Sequence, residues 1–271
     1  MKALTGIGKL DRKRIAAIIR ATKGTISVAE AAGIMDVKST DAAKMLSRWA
    51  KNGWMSRVHR GLYIPVSIES KTTDVPIEDP WLIADRLFAP CYIGGWSAAE
   101  YMNLTEQIFN TVMVMTLQNP RNRRPIIKDT RFLIRTVSES AMFGLKPVWR
   151  GRVKISVSDP TRTIIDMLSN PAIGGGIRST KDMLINYLNS GKKDMDLMIE
   201  YADRFGNGSV FKRLGYLLET IVPDEQKILD DCRIRLTAGY AKLDPKLTNE
   251  KLVTRWRLWV PKSWKQEKPV D

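Results

Sequence analysis

The residues with the clearest chemistry lie between positions 38 and 60, where basic and hydroxyl side chains recur at helical spacing. On a helix with about 100° between successive residues, one face would carry Thr40, Lys44, Ser47, Arg48 and Lys51. The opposite face would carry apolar side chains, namely Ala42, Leu46, Trp49 and Ala50. A helix in the major groove of DNA needs this division, because donors must face base edges and phosphates. A solvated polar face on an ordinary bundle helix is the alternative interpretation.

Basic side chains continue on a predicted β-hairpin directly after this helix. Residues 54–59 and 62–66 are typical of two short strands joined at Arg60-Gly61. Such a hairpin places its basic residues where a wing contacts phosphates or the minor groove, whereas Arg48 is best suited to a bidentate contact with guanine. Helix and hairpin together predict DNA contacts for ten residues: Lys38, Ser39, Thr40, Lys44, Ser47, Arg48, Lys51, Arg57, His59 and Arg60.

The elements that would position these side chains are those of a winged helix-turn-helix. Ser27 is followed three residues later by Glu30, a capping box that marks the start of a first short helix. A turn then leads to Ser39 or Thr40 as the N-cap of the DNA-reading helix. A preceding helix over residues 11–22 completes the small core with Ile15, Ile18 and Ile19. Helix, turn, helix and hairpin in this order predict the winged module.

The charge balance favours nucleic acid as a partner. The chain has a formal net charge of +15 and a pI of about 9.9. Residues 1–70 contain 13 Lys and Arg against 5 Asp and Glu, so about half of the surplus lies in a quarter of the chain. Such a concentrated positive field attracts polyphosphate through counterion release, whatever the base sequence. We therefore expect double-stranded DNA as the partner.

A membrane surface would also attract a basic chain, but the apolar patterning argues against it. No apolar run approaches the roughly 20 residues of a membrane-spanning helix. Residues 1–9 have too little apolar length for the core of a signal peptide. The sequence therefore predicts a cytoplasmic protein without membrane contact.

The scarcity of catalytic side chains excludes several classes of enzyme. His59 is the only histidine, which excludes Ser-His-Asp and Cys-His chemistry elsewhere and any multi-histidine metal site. Cys91 and Cys232 lie far apart without metal-ligand neighbours, so we expect two buried reduced thiols. The segment PDEQK at 223–227 resembles the signature of metal-dependent nucleases. In those enzymes the carboxylates come from separate strands and converge on Mg²⁺, whereas here they lie within one turn of a helix start. We expect no enzymatic activity, no metal site and no cofactor.

Length and composition predict two domains. Residues 67–78 are polar, lack hydrophobic periodicity and contain Pro76, so they form a linker between a winged domain at 1–68 and a larger domain at 77–271. In the larger domain, apolar runs rich in β-branched residues predict strands at 111–117, 131–137 and 153–157. Helices dominate after Asp159. This order favours an α+β fold, a winged helix-turn-helix followed by a larger mixed α/β domain.

Several features of the larger domain are candidates for a role of their own. Asp166 is placed to accept backbone amides of the Gly174-Gly175-Gly176 loop, which lacks the Gly-Lys-Ser/Thr ending of a P-loop and whose glycines suit positive φ angles. Gly215, between Arg213 and Tyr216, allows a helix to pack closely against its neighbour. Arg213 is then left either to form an ion pair or to bind a partner. A basic loop, either solvated or a second nucleic-acid contact, contains Arg121, Arg123, Arg124 and Lys128.

Four motifs follow one another along most of the chain. They are RVHRGLYIP (57–65), YIGGWSAA (92–99), DPTRTIID (159–166) and KRLGYLLE (212–219). The first resembles an R-x-x-R-G-x-Y-x-P ending of a winged domain, and the second resembles a Y-I-S-G-W-S-A start of the following domain. In this order the motifs resemble those of AbiEi-family antitoxins, the regulatory half of abortive-infection (type IV) toxin–antitoxin pairs.

The resemblance implies a function in phage defence. Antitoxins of this family bind inverted repeats in their own promoter through the winged domain and repress transcription, while the C-terminal domain counteracts a nucleotidyltransferase-like toxin. In many such pairs the antitoxin acts without a stable complex, so the toxin is a functional partner and not necessarily a bound one. The candidates in the antitoxin domain are Asp166, Arg213 and Tyr216. We expect a monomer in solution and two copies on DNA, because inverted repeats present two half-sites.

A stand-alone winged-helix regulator is the alternative interpretation. In that case the second domain binds a ligand or dimerises, and the winged module alone does not distinguish the two functions. An adjacent reading frame that codes for a toxic nucleotidyltransferase would separate them.

Overall fold

The computed structural model of the protein describes residues 7–22, 24–66, 79–151 and 153–264, and the predicted linker at 67–78 lies outside them. The N-terminal unit contains three helices and three strands: α1 (Lys9–Ala21), β1 (Ile26–Ser27), α2 (Val28–Met35), α3 (Ser39–Lys51), β2 (Met55–His59) and β3 (Leu62–Pro65). Its sheet has the order β1-β3-β2 and is antiparallel throughout. The two helices and the hairpin therefore occur in the predicted order.

Local sequence explains how α2 and α3 begin. The amide of Glu30 donates to Ser27 Oγ at 3.2 Å, and the amide of Ser27 donates to the Glu30 carboxylate at 2.9 Å, which confirms the capping box. The N-cap of α3 is Lys38, without a side-chain cap bond, so the prediction of Ser39 or Thr40 was wrong. Asp36 adopts a left-handed conformation (φ 52°) that turns the chain sharply at the end of α2. Ser39 consequently lies already inside the first turn of α3.

Apolar side chains from every element of this unit form one core. Ile18, Ile26, Leu46 and Trp49 are all at most 1% exposed, and Ile15 packs beside them. Ile19 was also predicted to face inward, but it is 49% exposed. The reason is helical geometry, because Ile15 and Ile18 occupy the inner face of α1 and Ile19 lies about 100° further round.

A six-stranded mixed sheet forms the centre of the larger part. Its strands are β4 (Cys91–Ile93), β5 (Thr111–Thr116), β6 (Ile126–Ile127), β7 (Thr130–Thr136), β8 (Leu145–Arg150) and β9 (Val153–Ser158). Their spatial order is β6-β7-β5-β4-β9-β8, with β5–β7 and β4–β9 parallel and the other pairs antiparallel. The three predicted strands are confirmed as β5, β7 and β9, whereas β4, β6 and β8 were not predicted. The chain is thus a mixed α+β protein.

Side chains alternate along each strand, so the two faces of this sheet belong to two different apolar clusters. Met113 and Met115 of β5 pack against one cluster, and Val114 between them packs against the other. The first cluster is covered by helices α5 (Gly95–Tyr101), α6 (Pro160–Ser169), α7 (Ile177–Leu188), α8 (Met195–Phe205), α9 (Gly208–Ile221) and α10 (Gln226–Ile234). A small sheet of order β10-β12-β11 completes it, with β10 (Ala241–Lys242), β11 (Lys251–Val253) and β12 (Leu258–Val260).

The second face of the sheet is shared with the N-terminal hairpin. Val58 of β2 and Leu62 of β3 lie in the same apolar cluster as Trp81 and Phe88 of α4 (Pro80–Phe88). Two polar contacts accompany this junction: Arg86 Nη1 lies 2.7 Å from Glu30 Oε1, and Lys128 Nζ donates to Ser56 Oγ at 2.9 Å. The N-terminal unit is therefore packed onto the larger part through the apolar face of its hairpin, next to the turn.

The described residues were also searched for membrane-spanning helices. None of the helices in these ranges is long and apolar enough to cross a bilayer.

Candidate nucleic-acid interface

Helix α3 separates its side chains by chemistry as the spacing predicted. Ala42, Leu46 and Trp49 are buried in the core of the N-terminal unit. The basic residues on the other side of the helix are exposed, and Ser47 is half-buried. Lys38 at the N-cap, with Ser39 and Thr40 in the first turn, is exposed as well. The helix thus presents donors to solvent over its whole length, which is the arrangement that a groove-binding helix requires.

The hairpin presents three further basic side chains. Arg57, His59 and Arg60 are exposed, whereas Val58 between them points into the apolar cluster. The strand register shifts between Arg57 and His59, and Gly61 has a positive φ of 78° in the turn. Arg57 Nε donates to the carbonyl of His59 at 3.5 Å. The turn is tied to α2 because the amide of Val28 donates to the carbonyl of Gly61 at 3.1 Å.

Arg48 is bound to a carboxylate of the same unit. Its Nη2 lies 3.1 and 2.9 Å from the two carboxylate oxygens of Asp11 on α1. The Arg48 side chain is still 57% exposed, and that of Asp11 is 25% exposed. An exposed pair of this kind contributes only about 0–1 kcal/mol, so a guanine edge or a phosphate can replace Asp11 at small cost. Within the residues that the structure describes, none of the other nine predicted contact residues forms an ion pair with a carboxylate.

In the larger part, Asp166 belongs to a buried network rather than to the glycine loop. Its Oδ1 accepts from Arg162 Nε at 3.0 Å, and its Oδ2 accepts from the Tyr92 hydroxyl at 3.2 Å. The prediction that Asp166 accepts amides of the glycine loop was therefore wrong, because the i,i+4 spacing on α6 places Arg162 against it. Burial raises the pKa of Asp166 to about 6, although Arg162 and Tyr92 counteract this.

The carboxylate that does serve the glycine loop comes from far along the chain. Asp244 Oδ2 accepts from the amide of Ile177, directly after the loop, at 3.0 Å. Gly175 and Gly176 have φ angles of 84° and 108°, so the predicted need for positive φ is confirmed. The sequence offered no local signal for this pairing, since 67 residues separate Asp244 from Ile177.

Arg213 is buried and ties two distant segments together. Nη1 donates to the carbonyls of Leu168 and Ser169 at the end of α6, at 2.7 and 3.0 Å, and Nε donates to Lys242 and Leu243 at 3.0 Å. Its side chain also contacts Ser209 Oγ at 2.8 Å. Burial lowers the pKa of Arg213 to about 10, which leaves the guanidinium charged at neutral pH.

The neighbours of Arg213 on α9 are equally buried. Tyr216 is 2% exposed, and burial raises the pKa of its hydroxyl. A Cβ on Gly215 would collide with the indole of Trp256, which confirms the predicted close approach through this glycine. Asp166, Arg213 and Tyr216 thus form no exposed surface for a partner, and their contacts hold the fold together.

The remaining sequence candidates have ordinary roles. Cys91 and Cys232 are free and buried, as predicted. Glu225 and Lys227 of the nuclease-like segment form separate surface ion pairs, with Lys193 and Asp196 respectively. In the part of the chain that the structure describes, no group of three metal-ligating side chains occurs.

Comparison with known proteins gives a family for the N-terminal unit and a relative for the whole fold. Residues 13–66 match the family model described as "Transcriptional regulator, AbiEi antitoxin", which confirms the resemblance for this segment and supports a general role as antitoxin or regulator. No curated protein sequence matches the chain. The crystal structure of the RV2827C protein from Mycobacterium tuberculosis is similar, with a TM-score of 0.63 at 13% identity over 96% of this chain and 94% of that one. At this identity the similarity concerns the fold.

Proposed function

We propose, from the match over residues 13–66, that the protein is an antitoxin and transcriptional repressor whose N-terminal unit is a winged helix-turn-helix. It binds inverted repeats in its own promoter, with α3 in the major groove and the hairpin as the wing. The larger part counteracts a nucleotidyltransferase-like toxin encoded beside it. The observation that carries the DNA-binding proposal is the exposed basic face: the lysines and arginines of α3 and the hairpin face solvent while the apolar sides of both elements are buried.

Two kinds of DNA contact follow from this geometry. Arg48 projects from the last turn of α3, and we assign it to base readout, so Arg48→Ala should cost about 1–3 kcal/mol on the operator and relax its sequence preference. Arg60 lies at the hairpin turn, so Arg60→Ala should weaken binding to operator and random DNA similarly and lower the salt slope by about 1. Fluorescence anisotropy on both DNAs at several salt concentrations measures both effects. Equal losses on the two DNAs for Arg48→Ala would contradict its assignment to base readout.

The antitoxin activity is tested by growth of cells that express the adjacent reading frame with and without this protein. Relief of growth arrest by the full chain supports the proposal, and failure to relieve it would leave only a repressor. Full-length variants that carry Arg48→Ala together with Arg60→Ala separate the functions. We expect these variants to lose repression of a promoter reporter and to keep neutralising the toxin when both genes are expressed from unrelated promoters.

A stand-alone regulator that responds to a small ligand is the second candidate. It is favoured by one observation, an open pocket of about 390 Å³ in the larger part, lined by arginine and serine side chains. In that case the adjacent reading frame is harmless to growth, and the operator affinity changes when the ligand is added.

A further inference from the structure

The pocket lies where two parallel strands of the central sheet end. β5 and β7 run side by side, and their carboxyl ends, at Met115 and Thr136, open into it. The carboxyl ends of α6 and α8 and the 3₁₀ turn Glu139–Ala141 form the remaining walls. The edge at which parallel strands end is where open α/β sheets commonly bind ligands, because the connections diverge there and leave a crevice.

Three arginines from different elements converge on this pocket. Arg123 comes from the basic loop after β5, Arg135 from the end of β7 and Arg204 from the last turn of α8. In the described parts of the chain, none of the three forms an ion pair with a carboxylate. The carboxylate that lines the pocket, Asp166, is already paired with the buried guanidinium of Arg162. The pocket therefore has an excess of positive charge without a partner.

The arginines are held in place by contacts that leave donors available. Arg204 stacks over the ring of Phe143, with its guanidinium carbon 4.2 Å from the centroid. The loop of Arg123 is pinned beside β7, because the amide of Ile134 donates to the Arg123 carbonyl at 2.9 Å. Arg135 Nε is a buried donor without an acceptor among the described residues. A buried donor of this kind is costly unless an acceptor is bound.

The rest of the lining is suited to the remainder of a nucleotide. Ser138 and Ser140 are hydroxyl donors at the rim, and their Oγ atoms lie 2.8 Å apart. Ile173 and Phe205 also line the pocket and supply the apolar surface that a base needs. The volume of about 390 Å³ is at the small end of ligand pockets and fits one nucleoside mono- or diphosphate rather than a duplex.

We propose that this pocket binds a nucleotide, with the guanidinium groups of Arg123, Arg135 and Arg204 around its phosphates. Planar guanidinium groups bind phosphate oxygens bidentately, and three positive charges match a dianion better than a single carboxylate. The proposal is independent of DNA binding by the N-terminal unit, since the pocket is built wholly from residues after position 114.

Isothermal titration calorimetry on the full chain tests the proposal with AMP, ADP, GDP, inorganic phosphate and adenosine. We expect at least one nucleotide to bind at micromolar to submillimolar concentration and adenosine to bind at least about tenfold more weakly, the effect of one lost charge-assisted hydrogen bond. Binding of no nucleotide at millimolar concentration, or equal binding of adenosine, would overturn it.

Three variants locate the site. Arg135→Gln and Arg123→Gln should each weaken nucleotide binding about tenfold, and Arg123 is exposed on a loop, so its substitution leaves folding intact. Arg131→Gln is the matched control, because Arg131 is an exposed arginine on the same strand β7 outside the pocket. An equal loss in Arg131→Gln would show nonspecific attraction by a basic chain and refute the site.

A titration with nucleic acid distinguishes two possible sources of the bound phosphate, a free nucleotide and the backbone of DNA. Short duplex and single-stranded DNA are titrated against wild type and Arg123→Gln under the same conditions. If the variant loses affinity for DNA but not for mononucleotides, the arginines form a nucleic-acid surface and the proposal fails. If it loses mononucleotide binding and keeps its DNA affinity, the pocket is a small-molecule site.

Discussion

Arg213 offers the sharpest test of how the larger part is held together. Its guanidinium reaches five acceptors: four carbonyls, of Leu168, Ser169, Lys242 and Leu243, and the hydroxyl of Ser209. Two of the carbonyls belong to the last two residues of α6, and the other two belong to the last residue of β10 and the residue after it. The substitution Arg213→Lys keeps the positive charge and most of the aliphatic stem, but it replaces the planar fork by an ammonium with three donors.

The magnitude follows from counting acceptors. With one acceptor for each N–H, the ammonium serves three of the five acceptors, so two buried groups lose their partner. An unsatisfied buried carbonyl costs about 1–3 kcal/mol, so we expect Arg213→Lys to lower the free energy of unfolding by about 2–6 kcal/mol. This is a large share of the roughly 5–15 kcal/mol that stabilises a typical protein. Arg213→Ala should cost more, because it also leaves a cavity at a residue that is 4% exposed.

Urea unfolding followed by circular dichroism and tryptophan fluorescence measures the change. Arg178→Lys on α7 is the control, since Arg178 is exposed and its replacement should change stability by less than about 0.5 kcal/mol. A midpoint for Arg213→Lys within error of the wild type would refute the reasoning. If toxin neutralisation were lost at unchanged stability, Arg213 would have a direct role in function instead.

Three further predictions concern other parts of the molecule. Gly215→Ala should destabilise the protein by about 1–3 kcal/mol in the same urea assay, because its methyl group would collide with Trp256; an unchanged midpoint would contradict the close approach. The pKa of Asp166 in the folded protein, about 6, exceeds the ordinary 3.8, so its contribution to stability is complete below pH 4 and is lost as pH rises to about 6. The stability difference between wild type and Asp166→Asn should therefore fall by about 3 kcal/mol from pH 4 to 7, whereas parallel profiles would refute it. Asp11→Asn should tighten operator binding a few-fold by releasing Arg48, and weaker binding in an anisotropy titration would contradict this.

The features that could be predicted from the sequence are those that depend on residues close together in the chain. The capping box of Ser27 and Glu30 and the two faces of α3 each depend on residues within one or two helical turns. The strands β5, β7 and β9 were predicted because their apolar runs are long. β4 has only three residues, and β8 lies at the edge of the sheet with exposed Lys146 and Pro147, so neither carries a clear pattern.

Pairings between distant positions could not be predicted in the same way. The acceptors of Arg213 include carbonyls up to 45 residues away, and carbonyls have no residue type that a sequence pattern could reveal. Asp244 and the glycine loop meet only because the fold brings the segment after β10 to the start of α7. The Arg162–Asp166 pair was accessible from its i,i+4 spacing, yet the hydrogen bonds that complete it come from the Tyr92 hydroxyl and the Phe143 carbonyl elsewhere in the chain.

The exposed face and the buried face of the hairpin have a consequence for how this protein can be altered or can evolve. Arg57, His59 and Arg60 face solvent, while Val58 and Leu62 complete the apolar cluster beneath α4. Cutting the chain in the 67–78 segment would uncover these apolar side chains on one fragment and Trp81 with Phe88 on the other. Under the proposed function, the phosphate contacts of the hairpin can change by substitution on its exposed face, whereas exchange of the whole N-terminal unit between relatives requires matching changes in α4.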